Sequence, residues 1–191
     1  MKRLLLPLAM AIAATGCSLS RPAAERQSFL LQPRHPAAAA GNAVGAGVRV
    51  GRIDVAAPFA GRGFVYRRDE QRFETDFYNE FAADPADMVA DAAVDWLRRS
   101  GRHAPVLGPR SPGQVALRVD GEIAALYVDF RGDPAARLAV RWRFSRDDGP
   151  AAEKECEAAV PLAARTPGGA ARAQEEALAR ALACLEASLP N

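Results

Sequence analysis

The sequence predicts an α+β fold, a mostly antiparallel sheet with two main helices packed on it, in the order β-β-β-α-β-β-β-α. Three patterns carry this expectation. Leu138, Val140, Trp142 and Phe144 alternate with Arg137, Ala139, Arg141 and Arg143, the period of a strand with one buried face and one solvated basic face. Met88, Ala92 and Trp96 recur every four residues with Val89, Ala93 and Leu97 beside them, which makes an apolar helix face. Leu178, Leu182, Leu185 and Leu189 fall at i, i+4, i+7 and i+11, the stripe of a second helix.

The elements follow in order. Ser28–Leu31 is a short candidate strand ahead of the main domain. Val48, Val50, Ile53 and Val55 suggest the first full strand, with a shift of alternation near Gly51. Phe64–Arg68 and Arg72–Phe77 flank Asp69-Glu70-Gln71 as a hairpin. Asp84 is a good N-cap, Pro85 fits the first helical turn and Gly101 sits past the end. Gln114–Phe130 alternates, breaks at Asp120-Gly121 and resumes, so a bulge is expected at the glycine. Arg146–Pro150 turns the chain, and Cys156, Ala158 and Val160 share one face of the next strand. Thr166-Pro167 opens the last helix, whose first leucine comes late, so its early turns are expected outside the main core.

The first residues place the protein. Lys2 and Arg3 precede an apolar run, Leu4–Ala14, too short to span a bilayer, and small residues lead to Cys17. Ala14-Thr15-Gly16-Cys17 resembles the lipobox of bacterial lipoproteins, with Ala where Leu is usual. That resemblance implies cleavage after residue 16 and acylation of Cys17, with several chains each contributing about 0.8 kcal/mol per buried methylene. Ser18 in place of Asp favours the inner leaflet of the outer membrane, with the domain in the periplasm. The expected organisation is a signal peptide (1–16), a lipidated N-terminus and flexible tether (17–47) and one globular domain (48–191). Residues 18–47 are dominated by Pro, Ala and Gly, which suits a tether.

Removing Lys2 and Arg3 from 25 basic residues leaves 23, against 23 acidic ones, so the mature chain is near neutral. No chain-wide basic field for nucleic acid remains. The stretch Phe59–Phe81 holds seven of the thirteen aromatics, four arginines and five acids, and so is not a phosphate-binding stripe either. Two histidines, His35 and His103, lack metal-ligand spacing with any other His or Cys. There is no G-x-S-x-G and no phosphate-binding loop, so no catalytic, metal or cofactor residue is assigned beyond the lipid on Cys17. Cys156 and Cys184 remain as an even pair in an oxidising compartment. Their places on a strand face and beside the leucine stripe allow both to point into one helix–sheet interface, and a disulfide and two buried thiols are equal alternatives.

Val50–Gly101 resembles the ABC-type transport auxiliary lipoprotein family, which includes the lipoprotein of the paraquat-inducible transport system. The matching pieces are Leu30-Leu31, Val65-Tyr66-Arg67, Phe73-Glu74 with Asp76 and Tyr78, Pro85 and the Leu-rich last helix. Phe73 stands where Tyr is common and Phe81 where Trp is common. The resemblance implies a non-catalytic component serving an ABC permease, its separate ATPase and an MCE-type periplasmic subunit. Such systems move phospholipid or other hydrophobic cargo between the two membranes. The alternatives are a periplasmic lipid-binding shuttle and a general envelope lipoprotein. A homo-oligomer around a transport tube would supply the repeated sites that symmetric docking needs.

Within the aromatic stretch, Phe64, Tyr66, Phe73 and Phe77 are expected in the hairpin and core. The competing reading makes Arg62, Tyr66, Arg67 and Tyr78 anchors of an exposed partner interface, since Tyr and Arg are favoured there.

Overall fold

The computed structural model describes residues 25–36, 45–146 and 149–190. The expected signal peptide, Cys17 and much of the expected tether lie outside the described residues. The strands are β1 (Gln27–Phe29), β2 (Val48–Val55), β3 (Gly63–Arg67), β4 (Phe73–Phe81), β5 (Val106–Leu107), β6 (Leu117–Asp129), β7 (Ala135–Ser145) and β8 (Ala152–Pro161). The helices are α1 (Pro85–Ser100) and α2 (Pro167–Ser188), with a short 3-10 turn at Ala57–Phe59. No helix among the described residues is long and apolar enough to cross a membrane.

The fold is α+β with two main helices on the sheet, as expected; the longest pairings are antiparallel, and the sheet is mixed rather than purely antiparallel. β6 is the axis. β7 pairs antiparallel along one edge of it, and β8 pairs antiparallel with β7. Along its other edge β2 pairs parallel with Leu117–Ile123, and β3 pairs parallel with Val128 and Asp129. β4 lies antiparallel to β3, and β1 lies parallel to the end of β4. Parallel pairing enters because α1 crosses over between the hairpin and β6 and returns the chain in the direction of β2. β5, parallel to Val48 and Arg49, was not anticipated: two residues carry no period.

Bulges reset which side chains face the core. In β2 the register shifts between Val50 and Ile53, where the sequence pattern breaks near Gly51. Asp120 Oδ1 accepts from the Arg52 N–H at 2.7 Å, satisfying a donor that the bulge frees. In β6 the bulge lies between Ile123 and Ala125, not at Gly121 as expected. Gly121 instead makes room: a Cβ there would sit 3.0 Å from the Trp142 ring and 2.9 Å from Ile53.

α1 matches its signals. Asp84 accepts from the Ala86 N–H at 2.8 Å, Gly101 ends the helix at φ 65°, and Met88, Val89, Ala92, Ala93, Trp96 and Leu97 are buried. Thr166 caps α2 through the Gly169 N–H at 3.1 Å. The early turns of α2 are inside the core, contrary to expectation. Ala170, Ala171 and Ala173 are buried because small side chains let the helix lie close to the sheet. α1 packs on β2, and α2 on β7 and β8. Between them and the sheet, Leu138, Val140, Trp142, Leu178, Leu182 and Leu185 fill the interior.

The outer face of β7 is not a basic field. Arg141 meets Glu122 at 2.6 Å and Glu155 at 3.6 Å, and Arg143 meets Glu153 at 3.0 Å. Neighbouring strands supply the carboxylates, which a one-strand pattern cannot reveal. Such exposed pairs contribute about 0–1 kcal/mol each.

Candidate partner surface on the aromatic hairpin

The β3–β4 hairpin is built around an irregularity. Register runs Arg67↔Phe73, Tyr66↔Glu74 and Val65↔Thr75, then jumps to Gly63↔Glu80. One residue of β3, Phe64, therefore opposes the four residues Asp76–Asn79, which must bow out of the ladder. Asp76 folds back to hold that bow. Its carboxylate accepts from the N–H groups of Tyr78 and Asn79 at 2.8 and 3.0 Å, the Asn79 side-chain amide at 2.8 Å and the Tyr66 hydroxyl at 2.9 Å. Burial pushes the Asp76 carboxyl up, but the hydrogen bonds from Asn79, Tyr78 and Tyr66 outweigh it and hold it below the usual carboxylate range. Burial and the Asp76 charge both push the Tyr66 hydroxyl well above the ordinary tyrosine range. Gly63 passes beneath the bow: a Cβ there would come 2.6 Å from the Asp76 carbonyl oxygen. Only glycine lets β3 approach this closely.

The bow presents Phe77 and Tyr78. Phe77 is 68% exposed and Tyr78 45%, and their rings meet edge to face at 5.3 Å. Phe73 is also exposed, resting against Tyr127 at 5.4 Å and Phe59 at 6.3 Å. Phe73 and Phe77 thus lie in the hairpin but not in the core, contrary to the expectation for them. Phe64 is: it is fully buried, packed on Phe29 and Phe81.

The four expected interface anchors divide. Tyr78 is presented. Tyr66 is half-buried beneath the bow, with its ring against Phe130 at 5.7 Å. Arg67 folds over the hairpin turn, donating to the carbonyls of Asp69 and Glu70 at 3.2 and 3.0 Å while covering the Phe73 ring. Arg62 donates to the Phe81 carbonyl and to Glu80, each at 2.9 Å. Arg131 ties the hairpin tip to the body, reaching Glu70 at 2.6 Å and Asp129 at 2.8 Å. Asp76 was not singled out as a site residue. Its signal was adjacency: Phe77 and Tyr78 cannot both face one side of a regular strand.

Elsewhere the chemistry is structural. Cys156 and Cys184 form a disulfide joining β8 to α2. His103 is buried, with Nδ1 3.1 Å from the Ala46 carbonyl. Among the described residues no group of three His, Cys, Asp or Glu side chains could hold a metal ion.

The N-terminal segment is part of this surface. β1 runs beside Asn79–Phe81, and Arg26 lies over the Phe77 ring at 4.6 Å. Downstream, Leu31 is buried with its N–H toward Met88 sulfur at 3.5 Å. Gln32 N–H reaches Glu175 at 3.0 Å, and His35 meets Glu186 at 2.9 Å, beside Trp96. Residues 31–35 therefore strap α1 to α2.

No curated protein matches the chain. The fold is similar to the crystal structure of a Xanthomonas campestris protein, with TM-score 0.65 and 19% identity over 87% of this chain and 86% of that one. A second solved structure, of an uncharacterized protein, matches with TM-score 0.72 and 12% identity over 87% of this chain and 99% of that one. The family model of the ABC-type transport auxiliary lipoprotein component matches residues 29–184, from β1 through the disulfide cysteine of α2. The chain therefore belongs to the ABC-type transport auxiliary lipoprotein family.

Proposed function

We propose that this protein is a non-catalytic lipoprotein, acylated on Cys17 and held in the inner leaflet of the outer membrane. There it docks or stabilises the periplasmic part of an ABC system with an MCE-type subunit. The cargo is phospholipid or another hydrophobic molecule. ATP is consumed by a separate ATPase, and the lipid on Cys17 is the one attached group this reading requires. The observation that carries the reading is the family match across residues 29–184, which makes the chain an auxiliary of ABC-type transport. Two features support the finer assignment. The helix–sheet interior is filled by side chains such as Trp142 and Leu182, which favours docking over carrying lipid inside. The clamped hairpin offers a raised aromatic surface outside the core.

The test is crosslinking in intact cells followed by mass spectrometry. Recovery of an MCE-type protein and its permease is expected. Crosslinks confined to unrelated envelope proteins would refute the transport assignment. A homo-oligomer, the geometry that would repeat the docking site, is checked on the acylated protein in detergent by light scattering.

A further inference from the structure

We propose that Phe77 and Tyr78, on the bow of β4, rest on the lipid surface in which the Cys17 anchor is embedded. They then form a second attachment of the domain to its own membrane. This rests on the reading above that Cys17 is acylated.

Three observations converge. The first is where the chain leaves the domain. β1 is parallel to β4 with Gln27 beside Asn79, so Arg26 and Glu25 head back along Tyr78 and Phe77. Arg26, 4.6 Å over the Phe77 ring, shows that path directly. The second is length. Arg26 lies nine positions after Cys17, a span of at most about 30–32 Å when fully extended. A domain of this size is about 35–40 Å across by the usual scaling of radius with length. The leash is shorter than the domain is wide, so the face it leaves from is the face brought to the membrane. The third is chemistry. That face carries the most exposed aromatic among the described residues, Phe77, with Tyr78 edge-on beside it. A ring with a polar tip suits the headgroup level. Among the surrounding charges Arg62 pairs with Glu80 and Arg68 with Glu74, and Glu25 offsets the adjacent Arg26 that lies over the Phe77 ring. The contact is therefore aromatic rather than electrostatic and does not demand anionic lipid. Asp76 holds the bow rigid, so the two rings reach the surface without ordering a loop first.

A unique labelling site is available, because Cys17 is acylated and Cys156 and Cys184 are bonded to each other. Phe77→Cys, Tyr78→Cys and, at the opposite edge of the sheet, Lys154→Cys are made in the full acylated protein. Each is spin-labelled and reconstituted into vesicles of phosphatidylethanolamine with phosphatidylglycerol. Flotation and intact mass report the anchor. Collision with oxygen and with a water-soluble paramagnetic reagent reports the depth of the label. The expected result is a several-fold loss of collisions with the water-soluble reagent at positions 77 and 78 and none at 154. It should be unchanged when phosphatidylglycerol is omitted or salt is raised. Labels at 77 and 78 that stay in water while the protein floats would overturn the patch and leave the anchor standing. Shielding at 77 that needs the whole transporter in native membranes would assign the patch to a protein partner and also overturn it. A chain without acyl groups that fails to float removes the anchor, and the patch with it.

Discussion

The Tyr66 hydroxyl donates to Asp76 Oδ2 at 2.9 Å, and the other oxygen of that carboxylate accepts from the backbone N–H of the exposed Tyr78 at 2.8 Å. The hairpin's two tyrosines are a support and the thing supported. Tyr66→Phe keeps the ring on Phe130 and removes one hydrogen bond. It should cost about 1–2 kcal/mol, the lower end for a bond to a charged group because the pair is not fully buried. Asp76→Ala strips the same carboxylate from Tyr66, Tyr78 and Asn79 and should cost more, about 2–3 kcal/mol. Urea unfolding ranks the two; equal costs would mean that the backbone bonds to Asp76 contribute nothing.

Acid should loosen the structure in a defined window. Asp129 is held at about 2, chiefly by hydrogen bonds from Arg131, and the Asp76 and Asp120 carboxyls also lie below their usual range. Groups with depressed folded values stabilise fully above the unfolded carboxylate range, near pH 4, and lose that contribution as pH falls through the folded values. The urea midpoint is therefore expected to hold from pH 7 to about 5 and to drop toward pH 2. Arg131→Met should flatten the lowest part of that fall, since Asp129 then titrates nearer its ordinary value.

The Cys156–Cys184 bond closes a sequence separation of 28 residues. Replacing both with Ala, or adding reductant, is expected to cost about 2–4 kcal/mol. Ala at both sites keeps the helix–sheet contact small and apolar, so the loss reports the cross-link. A melting temperature indifferent to reductant would mean the thiols are not bonded in solution.

Gln174 is 1% exposed on α2, and neither polar atom of its amide has a hydrogen-bond partner among the described residues. An unpaired buried amide costs about 1–3 kcal/mol. Gln174→Met, of similar shape, should raise the melting temperature. A fall would show that the amide is hydrogen-bonded in solution.

What the sequence made legible followed from how local each cause is. α1 could be read end to end because Asp84, the four-residue apolar recurrence and Gly101 all act within a turn or two. The β2 bulge was visible because Val50 and Ile53 are large enough to mark parity. The β6 bulge was misplaced to Gly121 because alanines at 124 and 125 mark neither face, whereas the glycine answers to Trp142 on the next strand. Parallel pairing was hidden because it depends on where α1 returns the chain, not on any residue in the strands. Within the site, Tyr66 and Tyr78 were found as candidates by type, but their hierarchy was not. It depends on Asp76, a residue that reads as an ordinary polar position. Phe73 and Phe77 were assigned inward because aromatics in strands usually are, and the four-residue bow reverses that for Phe77.

The strap of residues 31–35 gives the fold a mechanical property. Any pull on the N-terminus enters the described fold at Gln27, the first residue of β1. A three-strand-residue pair alone would peel away under it. Here the tension passes on to Leu31 sunk beside Met88, then to Gln32 on Glu175, then to His35 on Glu186. Two helices are thereby recruited in series before the sheet is disturbed. The mooring line is spliced across the hull rather than tied at its edge.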